Sequence, residues 1–262
     1  MESVCIVIPA YNEEKRIGKI LEKYGSFFEK KKKEKEIDNF EILVVINNTK
    51  DKTEEVVKFF QKKYKEIKYL NFKQGGKGFA IIQGFKNAIQ NKENTLIGFV
   101  DGDMSTPPEA YYDLIQKIGN YDGIIADRWN KASIITPKQS GLRRIVSRGY
   151  NWIIRTLFLF NYRDTQCGAK LFKREILEKN INKLITSNWG FDIAVLYCLK
   201  KESKARIKSI PTIWHDEAGS KVNIKKTSLM MFISAVRLRL IHSPFSFIVK
   251  FYRKLPQNLK IN

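Results

Sequence analysis

Residues 95–104 read TLIGFVDGDM, a short apolar run that ends on Asp101-Gly102-Asp103. A run this short and this apolar, bounded by turn residues, fits a strand buried on both faces of a parallel sheet. Its C-terminal end delivers two carboxylates. Working upstream, residues 79–90 have helical spacing and follow the loop Gly75-Gly76-Lys77-Gly78. Residues 68–72 read as a strand and 53–65 as a helix with Val56, Val57, Phe59 and Phe60 inward. Before these come a strand at 41–46 (EILVVI), a helix at 13–28 with Ile17, Ile20, Leu21 and Tyr24 on one face, and a strand at 4–10 (VCIVIPA). Downstream, 111–118 reads as a helix and 123–126 as a strand. Strand and helix alternating at this rhythm predict an α/β fold with a doubly wound, mainly parallel sheet.

The second half has a different texture. Residues 143–160 form an apolar-basic helical pattern, 175–185 and 192–201 read as helices, and 207–214 as a strand. Residues 227–254 are apolar, basic and helical apart from a break at Pro244. The shift near residue 140 suggests a catalytic core with an elaboration rather than two independent domains.

The chain has 262 residues, with 48 Lys+Arg against 27 Asp+Glu and a formal net charge of +21. This balance points to anionic partners: phosphorylated substrates, an anionic membrane face or nucleic acid. No zinc-ligand spacing or RNA-binding aromatic signature appears, so no nucleic-acid partner is expected. Three Cys build no disulfide framework, which suits a reducing compartment. Met1-Glu2-Ser3 lacks the basic start of a signal peptide, and no apolar run reaches the roughly 18 residues of a membrane span.

In an open α/β sheet, ligands sit at the C-terminal ends of the strands. Four loops bring polar groups there: Pro9 to Glu14, Asn47 to Thr53, Gln74 to Gly78, and Asp101 to Asp103. Asp101 and Asp103 can share a hard divalent cation, Mg²⁺ or Mn²⁺, which keeps positions open for phosphate oxygens. Gly102 lets backbone approach closely. Lys77, in a glycine-rich loop opening a helix, can help hold a diphosphate.

Val7-Ile8-Pro9-Ala10-Tyr11-Asn12-Glu13-Glu14, Gly76-Lys77-Gly78 and Asp101-Gly102-Asp103-Met104-Ser105 resemble the inverting family 2 glycosyltransferases of GT-A fold, a Rossmann-like nucleotide-sugar-binding architecture. Ala126-Asp127-Arg128, Ser147-Arg148-Gly149-Tyr150-Asn151, the stretch Asp164 to Phe172 (DTQCGAKLF) and Trp189-Gly190-Phe191-Asp192 resemble the dolichyl-phosphate mannose and glucose synthases. Gly219-Ser220-Lys221-Val222 looks like the same branch. The resemblance runs from about residue 4 to 240.

It implies a hexose, glucose or mannose, moved from UDP-glucose or GDP-mannose to a polyprenyl (dolichyl) phosphate with inversion. Pro9, Tyr11 and Glu13 would hold base and ribose, and Asp101 and Asp103 the metal and diphosphate. Where the family usually carries an acid after the second strand, this chain has Asn47, whose amide can still pair with a base edge. Arg128, Arg143 and Ser147 match acceptor-phosphate positions; on a helix Arg143 and Ser147 lie one turn apart, and Arg suits forked phosphate contacts. Gln166, Lys170, Trp189 and His215 are expected cleft residues. Asp103, Asp192 and Arg128 are the residues expected at the chemistry. A phosphate acceptor needs no general base; in the alternative, a saccharide-hydroxyl acceptor, Asp192 would be that base.

The expected organisation is a catalytic domain over 1–222, its nucleotide-sugar half about 1–128 and its acceptor half about 129–222, followed by an amphipathic basic helical tail over 223–262. The tail, with 152–160, would associate with the anionic cytoplasmic face of a membrane as a peripheral protein, Lys225, Lys226, Arg237, Arg239, Lys250, Arg253 and Lys254 facing headgroups.

Overall fold

The computed structural model describes residues 1–137, 141–184, 190–215, 224–244 and 247, without the side chains of 142–146, 202 and 224–229. A seven-stranded sheet runs in the order β3-β2-β1-β4-β7-β5-β8. Its strands are β1 (Ser3–Ala10), β2 (Asn39–Asn47), β3 (Ile67–Phe72), β4 (Leu96–Val100), β5 (Gly123–Asp127), β7 (Ala169–Lys173) and β8 (Ile207–Pro211). All pairings are parallel except those of β7, which runs antiparallel to both β4 and β5. Strand order reverses direction between β1 and β4, where an open sheet splays and leaves a crevice. A small parallel ribbon pairs β6 (Ile134–Thr136) with β9 (Ile213–His215).

Strands β1, β2 and β4 form because their side chains are buried on both faces; Ile6, Val7 and Ile8 are each fully buried, whereas β3, at the sheet edge, exposes Lys68 and Asn71. Helices α1 (Ile17–Lys33), α2 (Thr53–Lys63) and α4 (Pro108–Gln116) lie with one apolar layer, α3 (Lys77–Gln90) with the other. On α1, Ile17, Ile20, Leu21, Tyr24 and Phe28 are wholly buried, each burial favouring the fold by about 1.5–3 kcal/mol before entropy is counted.

Several expectations are corrected. The first helix starts at Ile17, not Glu13, because the Glu13 carbonyl accepts from both Arg16 and Ile17 N–H in a preceding turn. Phe59 faces outward on α2, whose buried residues are Thr53 and Val57. The helix expected at 111–118 starts at Pro108, a residue preset for the first helical turn. The single strand expected over 207–214 is two, β8 and β9, turning at Thr212, whose N–H donates to Ser133 Oγ at 3.0 Å. β6 and β7 were not expected.

In the second half, α5 (Gly141–Phe158), α6 (Arg174–Asn180), α7 (Phe191–Ser203) and α8 (Ile224–Ile241) complete the fold, with a 3₁₀ turn at Ile181–Lys183. α8 is not a free tail. Ala235 and Leu238 are buried in the layer that holds Ile154 and Phe158 of α5, Tyr150 Oη donates to the Met231 carbonyl, and Arg239 Nε donates to the Leu157 carbonyl at 3.0 Å. No described helix is long and apolar enough to cross a membrane. Lys225 and Lys226 side chains, and Lys250, Arg253 and Lys254, lie outside the described residues.

Candidate active site

The crevice beside β1 is floored by Asn47. Its Nδ2 donates to the Ala10 carbonyl at 2.9 Å, and its Oδ1 accepts from Gly76 N–H at 3.0 Å. The side chain is buried, and its amide ties the ends of β1 and β2 to the glycine loop. In this arrangement Asn47 fixes the position of the glycine loop against β1. Around it, Asn12 Oδ1 accepts from Lys50 N–H, Glu13 N–H donates to Thr53 Oγ1 at 2.8 Å, and Glu14 N–H donates to Asp51 Oδ2. Tyr11 stands exposed and Pro9 half-buried beside this web, open to a ligand. Asn12, Asn48 and Met104 all have φ near +50° to +65°, so sparsely populated backbone conformations gather at these strand ends.

Burial pushes the Glu13 carboxyl above its ordinary value. The Arg16 guanidinium, donating to both oxygens at 2.7 Å, opposes this, and Asp103 and Asp51 reinforce it.

Asp101 and Asp103 leave β4 on either side of Gly102, where an added Cβ would lie 2.8 Å from the Pro9 carbonyl. The Asp101 carboxylate lies flat against Gly168, whose Cβ, if present, would be 2.0 Å from it. Only glycine leaves room for that carboxylate. Lys77, first residue of α3, sets its Nζ 2.5 Å from Asp101 Oδ1 and 4.0 Å from Asp192 Oδ2. Lys170 of β7, fully buried, donates to Asp192 Oδ1 at 2.5 Å and to the Cys167 carbonyl at 2.6 Å. Asp101, Lys77, Asp192 and Lys170 thus form a row of alternating charge. Burial works against the Lys77 charge, but Asp101 and Asp192 outweigh it and hold the ammonium above its ordinary value.

The donor set suits a hard cation whose shell is completed by a ligand. Asp101 Oδ1 faces the Lys77 ammonium and Asp103 Oδ1 accepts from Ser105 N–H, while among the described residues the second oxygen of each carboxylate meets no hydrogen-bond donor and is available. Among the described residues no group of three or more His, Cys, Asp or Glu side chains is placed to hold an ion alone. Two carboxylates plus phosphate oxygens and water is the coordination Mg²⁺ and Mn²⁺ accept. His215 on β9 joins this loop through its backbone, its N–H donating to the Ser105 carbonyl at 2.7 Å.

Across the crevice, Arg128 follows β5. Its Nε and Nη2 donate to Asp164 Oδ2 at 2.6 Å and Oδ1 at 3.0 Å, and its own N–H donates to Oδ2 as well. The guanidinium packs against Trp214 and Trp129, 5.2 and 5.9 Å from their ring centroids. Burial alone would raise Asp164; Arg128 reverses this and holds the carboxyl below the usual range. Among the described residues Nη1 meets no acceptor. Arg128 also lies within electrostatic reach of Asp101.

The crevice therefore gathers Pro9, Tyr11, Glu13, Lys77, Asp101, Gly102, Asp103, Arg128, Lys170 and Asp192. Gln166 lies on the Asp164 loop, with its Nε2 buried and without an acceptor among the described residues. Ser147 and Arg143 sit on α5 as expected from spacing; the Arg143 side chain and all of Trp189 lie outside the described residues. Sequence reading gave no role to Asp164, Gly168, Trp129 or Trp214. Asp164 carried a usable signal: an Asp ahead of a glycine in a polar loop, which here accepts from Gln166 and Cys167 N–H while clamping Arg128. Cys167 is buried beside it, its thiol pushed up to about 12 by burial, and all three cysteines are free.

The sequence matches glycosyl transferase family 2 over residues 5–181, more than half of its length. This chain belongs to glycosyl transferase family 2. It is similar to the dolichyl-phosphate beta-glucosyltransferase of Dictyostelium discoideum, 30% identical over 245 residues, or 90% of this chain and 73% of that protein. The human dolichyl-phosphate beta-glucosyltransferase is 29% identical over 231 residues, 84% of this chain and 70% of its own. Glucosyl-3-phosphoglycerate synthase from Mycobacterium tuberculosis, solved with Mn²⁺, UDP and phosphoglyceric acid, has the same fold with a TM-score of 0.64 at 15% identity, covering 91% of this chain and 78% of that one. The family 2 enzyme described here is thus a glycosyltransferase with a GT-A sheet.

Proposed function

We propose that this glycosyltransferase moves glucose from a nucleoside-diphosphate sugar to a polyprenyl phosphate such as dolichyl phosphate, with inversion. The observation that carries the reading is the Arg128–Asp164 clamp facing the Asp101–Lys77 pair across the crevice. A fixed cation stands opposite a diphosphate site, as a phosphate nucleophile requires. The names of the curated relatives support the same acceptor and favour glucose over mannose.

Tyr11, Pro9 and Glu13 form the rim that receives base and ribose. The N-terminus of α3 and its Lys77 meet the diphosphate, which a helix N-terminus favours. Asp101 and Asp103 would hold Mg²⁺ or Mn²⁺, which when bound neutralises charge on the departing diphosphate. Arg128 orients the acceptor phosphate through its free guanidinium edge, aided by Ser147 and Arg143 of α5. A phosphate oxygen forms the new bond to the anomeric carbon as the bond to the diphosphate breaks. With a second pKa of about 6, the phosphate is already ionised at neutral pH, so no base is needed. Asp192 instead holds Lys77 and Lys170 in place. A lipid acceptor implies work at a membrane surface; exposed Trp152 and Leu159 near α5 and Phe232 on α8, beside exposed Arg155, Arg237 and Arg239, form a face suited to it.

The test is transfer of radiolabelled sugar into organic extract, with a short polyprenyl phosphate and UDP-glucose or GDP-mannose offered separately. Label from UDP-glucose is expected, reduced at least about 100-fold by Asp103→Ala and abolished by chelator. Transfer from neither donor, or transfer only to a saccharide hydroxyl with loss in Asp192→Asn, would sink the proposal.

A further inference from the structure

Beyond Trp129 lies a second cleft of about 340 Å³, lined by Trp129, Arg148, Asn151, Trp152, Arg155 and Arg163. Arg148, Asn151 and Arg155 share one face of α5 by spacing, with Trp152 beside them. Arg163 comes from the loop after α5 and Trp129 from the loop after β5. The frame is fixed: buried Asn151 accepts from both Thr165 N–H and Oγ1 at 3.2 Å, tying that loop to the helix.

The charges in this cleft are only partly answered: Arg155 Nε reaches the Phe160 carbonyl at 3.5 Å. Among the described residues no carboxylate forms an ion pair with Arg148, Arg155 or Arg163. Arg148 instead stacks 5.4 Å from the Trp129 ring centroid. Arg163 feels the charge of Asp127, but that buried carboxylate already accepts from Trp129 N–H at 2.8 Å. The Trp129 indole N–H is buried and has no acceptor among the described residues. Three like charges around one hollow repel, and a buried donor without an acceptor is costly. An anion with several oxygens relieves both.

We propose that this cleft is a second anion site, distinct from the transfer crevice, that binds a phosphate mono- or diester of headgroup size. Guanidinium forks match phosphate oxygens in pairs, and the half-buried Trp129 indole shields one side of the contact. The volume falls at the small end of the roughly 300–1,000 Å³ of small-molecule sites. A polyprenyl chain does not fit the lining, because a hydrocarbon would strip water from three guanidiniums and return nothing. The site stands whether or not the sugar acceptor is a polyprenyl phosphate. The phosphate can come from an anionic lipid or from solution.

The experiment compares the full chain with two charge-matched variants: Arg148→Gln, Arg155→Gln and Arg163→Gln combined, and Lys30→Gln, Lys33→Gln and Lys35→Gln combined. The three lysines are exposed around the end of α1. All six positions are on the surface, and circular dichroism checks the fold. Each protein is co-sedimented with phosphatidylcholine vesicles with and without phosphatidic acid, and its thermal midpoint is followed against inorganic phosphate. Binding to phosphatidic-acid vesicles should weaken about tenfold or more in the arginine variant and less than about twofold in the lysine variant. Stabilisation by inorganic phosphate lost only in the arginine variant, with vesicle binding unchanged, supports the site and assigns it to a soluble phosphate. Equal weakening in both variants, or no response to either probe, overturns the proposal.

Discussion

Asn47 and Lys170 are both buried polar side chains beneath the same crevice, and they are satisfied by opposite means. Asn47, on the nucleotide side, gives both ends of a neutral amide to the backbone. Lys170, on the far side, gives its charge to Asp192. The pattern extends around each. Amides, hydroxyls and backbone N–H groups knit Asn12, Lys50, Asp51 and Thr53 together on one side, whereas Arg128–Asp164 and Lys170–Asp192 anchor the other. A network of backbone, amide and hydroxyl contacts around one half-exposed carboxylate, Asp51, is cheaper to bury and sets shape. A buried ion pair is costly to desolvate, and its presence marks where the site must keep fixed charge. On the proposed reading, that is where an anionic acceptor meets an anionic leaving group.

Breaking the charged side should therefore cost most. Lys170→Met leaves Asp192 without its buried partner and should lower unfolding free energy by about 3–5 kcal/mol in urea titration. Lys170→Met combined with Asp192→Leu should recover much of that stability without recovering transfer. A single variant as stable as wild type would erase the contrast. Next comes Asp164→Asn, expected to cost about 1.5–3 kcal/mol through the lost charged hydrogen bonds to Arg128. Here pH sharpens the comparison. The native Asp164 carboxyl is held below its ordinary value, so its contribution is complete above about 4 and is lost as pH falls through the depressed native value. Stability of wild type should therefore fall more steeply in that acid window than stability of Asp164→Asn. The smallest effect belongs to the neutral side. Asn47→Ala orphans Gly76 N–H and the Ala10 carbonyl, costing about 1–3 kcal/mol, and should raise KM for the sugar donor while leaving KM for the acceptor unchanged.

The same contrast explains how far the sequence could be read. β1, β2 and β4 stand out because strands buried on both faces are apolar along their length and end on turn residues. Asp101, Asp103 and Lys77 follow directly, since chemistry in such a sheet sits where those strands stop. β7 is hidden because its sequence, AKLFK, carries a lysine that is buried only by virtue of Asp192, on a helix that follows later in the chain. No local pattern announces a partner that distant. Asn47 was legible as a position but not as a staple between backbone segments, because an amide suits a base edge and a backbone contact equally until its neighbours are known. Asp164 was visible as a residue and silent as a clamp for the same reason. The Arg-lined cleft was invisible in a chain where basic residues are everywhere; Arg163 and Trp129 reach it from loops that only folding brings to α5.

β7 also orders the birth of the protein. It seals β4 through Leu96↔Lys173 to Val100↔Ala169, so the strand bearing Asp101 waits for a segment synthesised long after it. Until the ribosome has released Lys173, β4 is an apolar ribbon with one row of backbone donors and acceptors open. Such an edge recruits other chains, and a pairing this distant in sequence forms slowly. A chain interrupted anywhere between Asp101 and Gly168 therefore loses more than its acceptor side. It exposes the centre of its own sheet, and aggregation rather than a half-active fragment is the natural fate of that product.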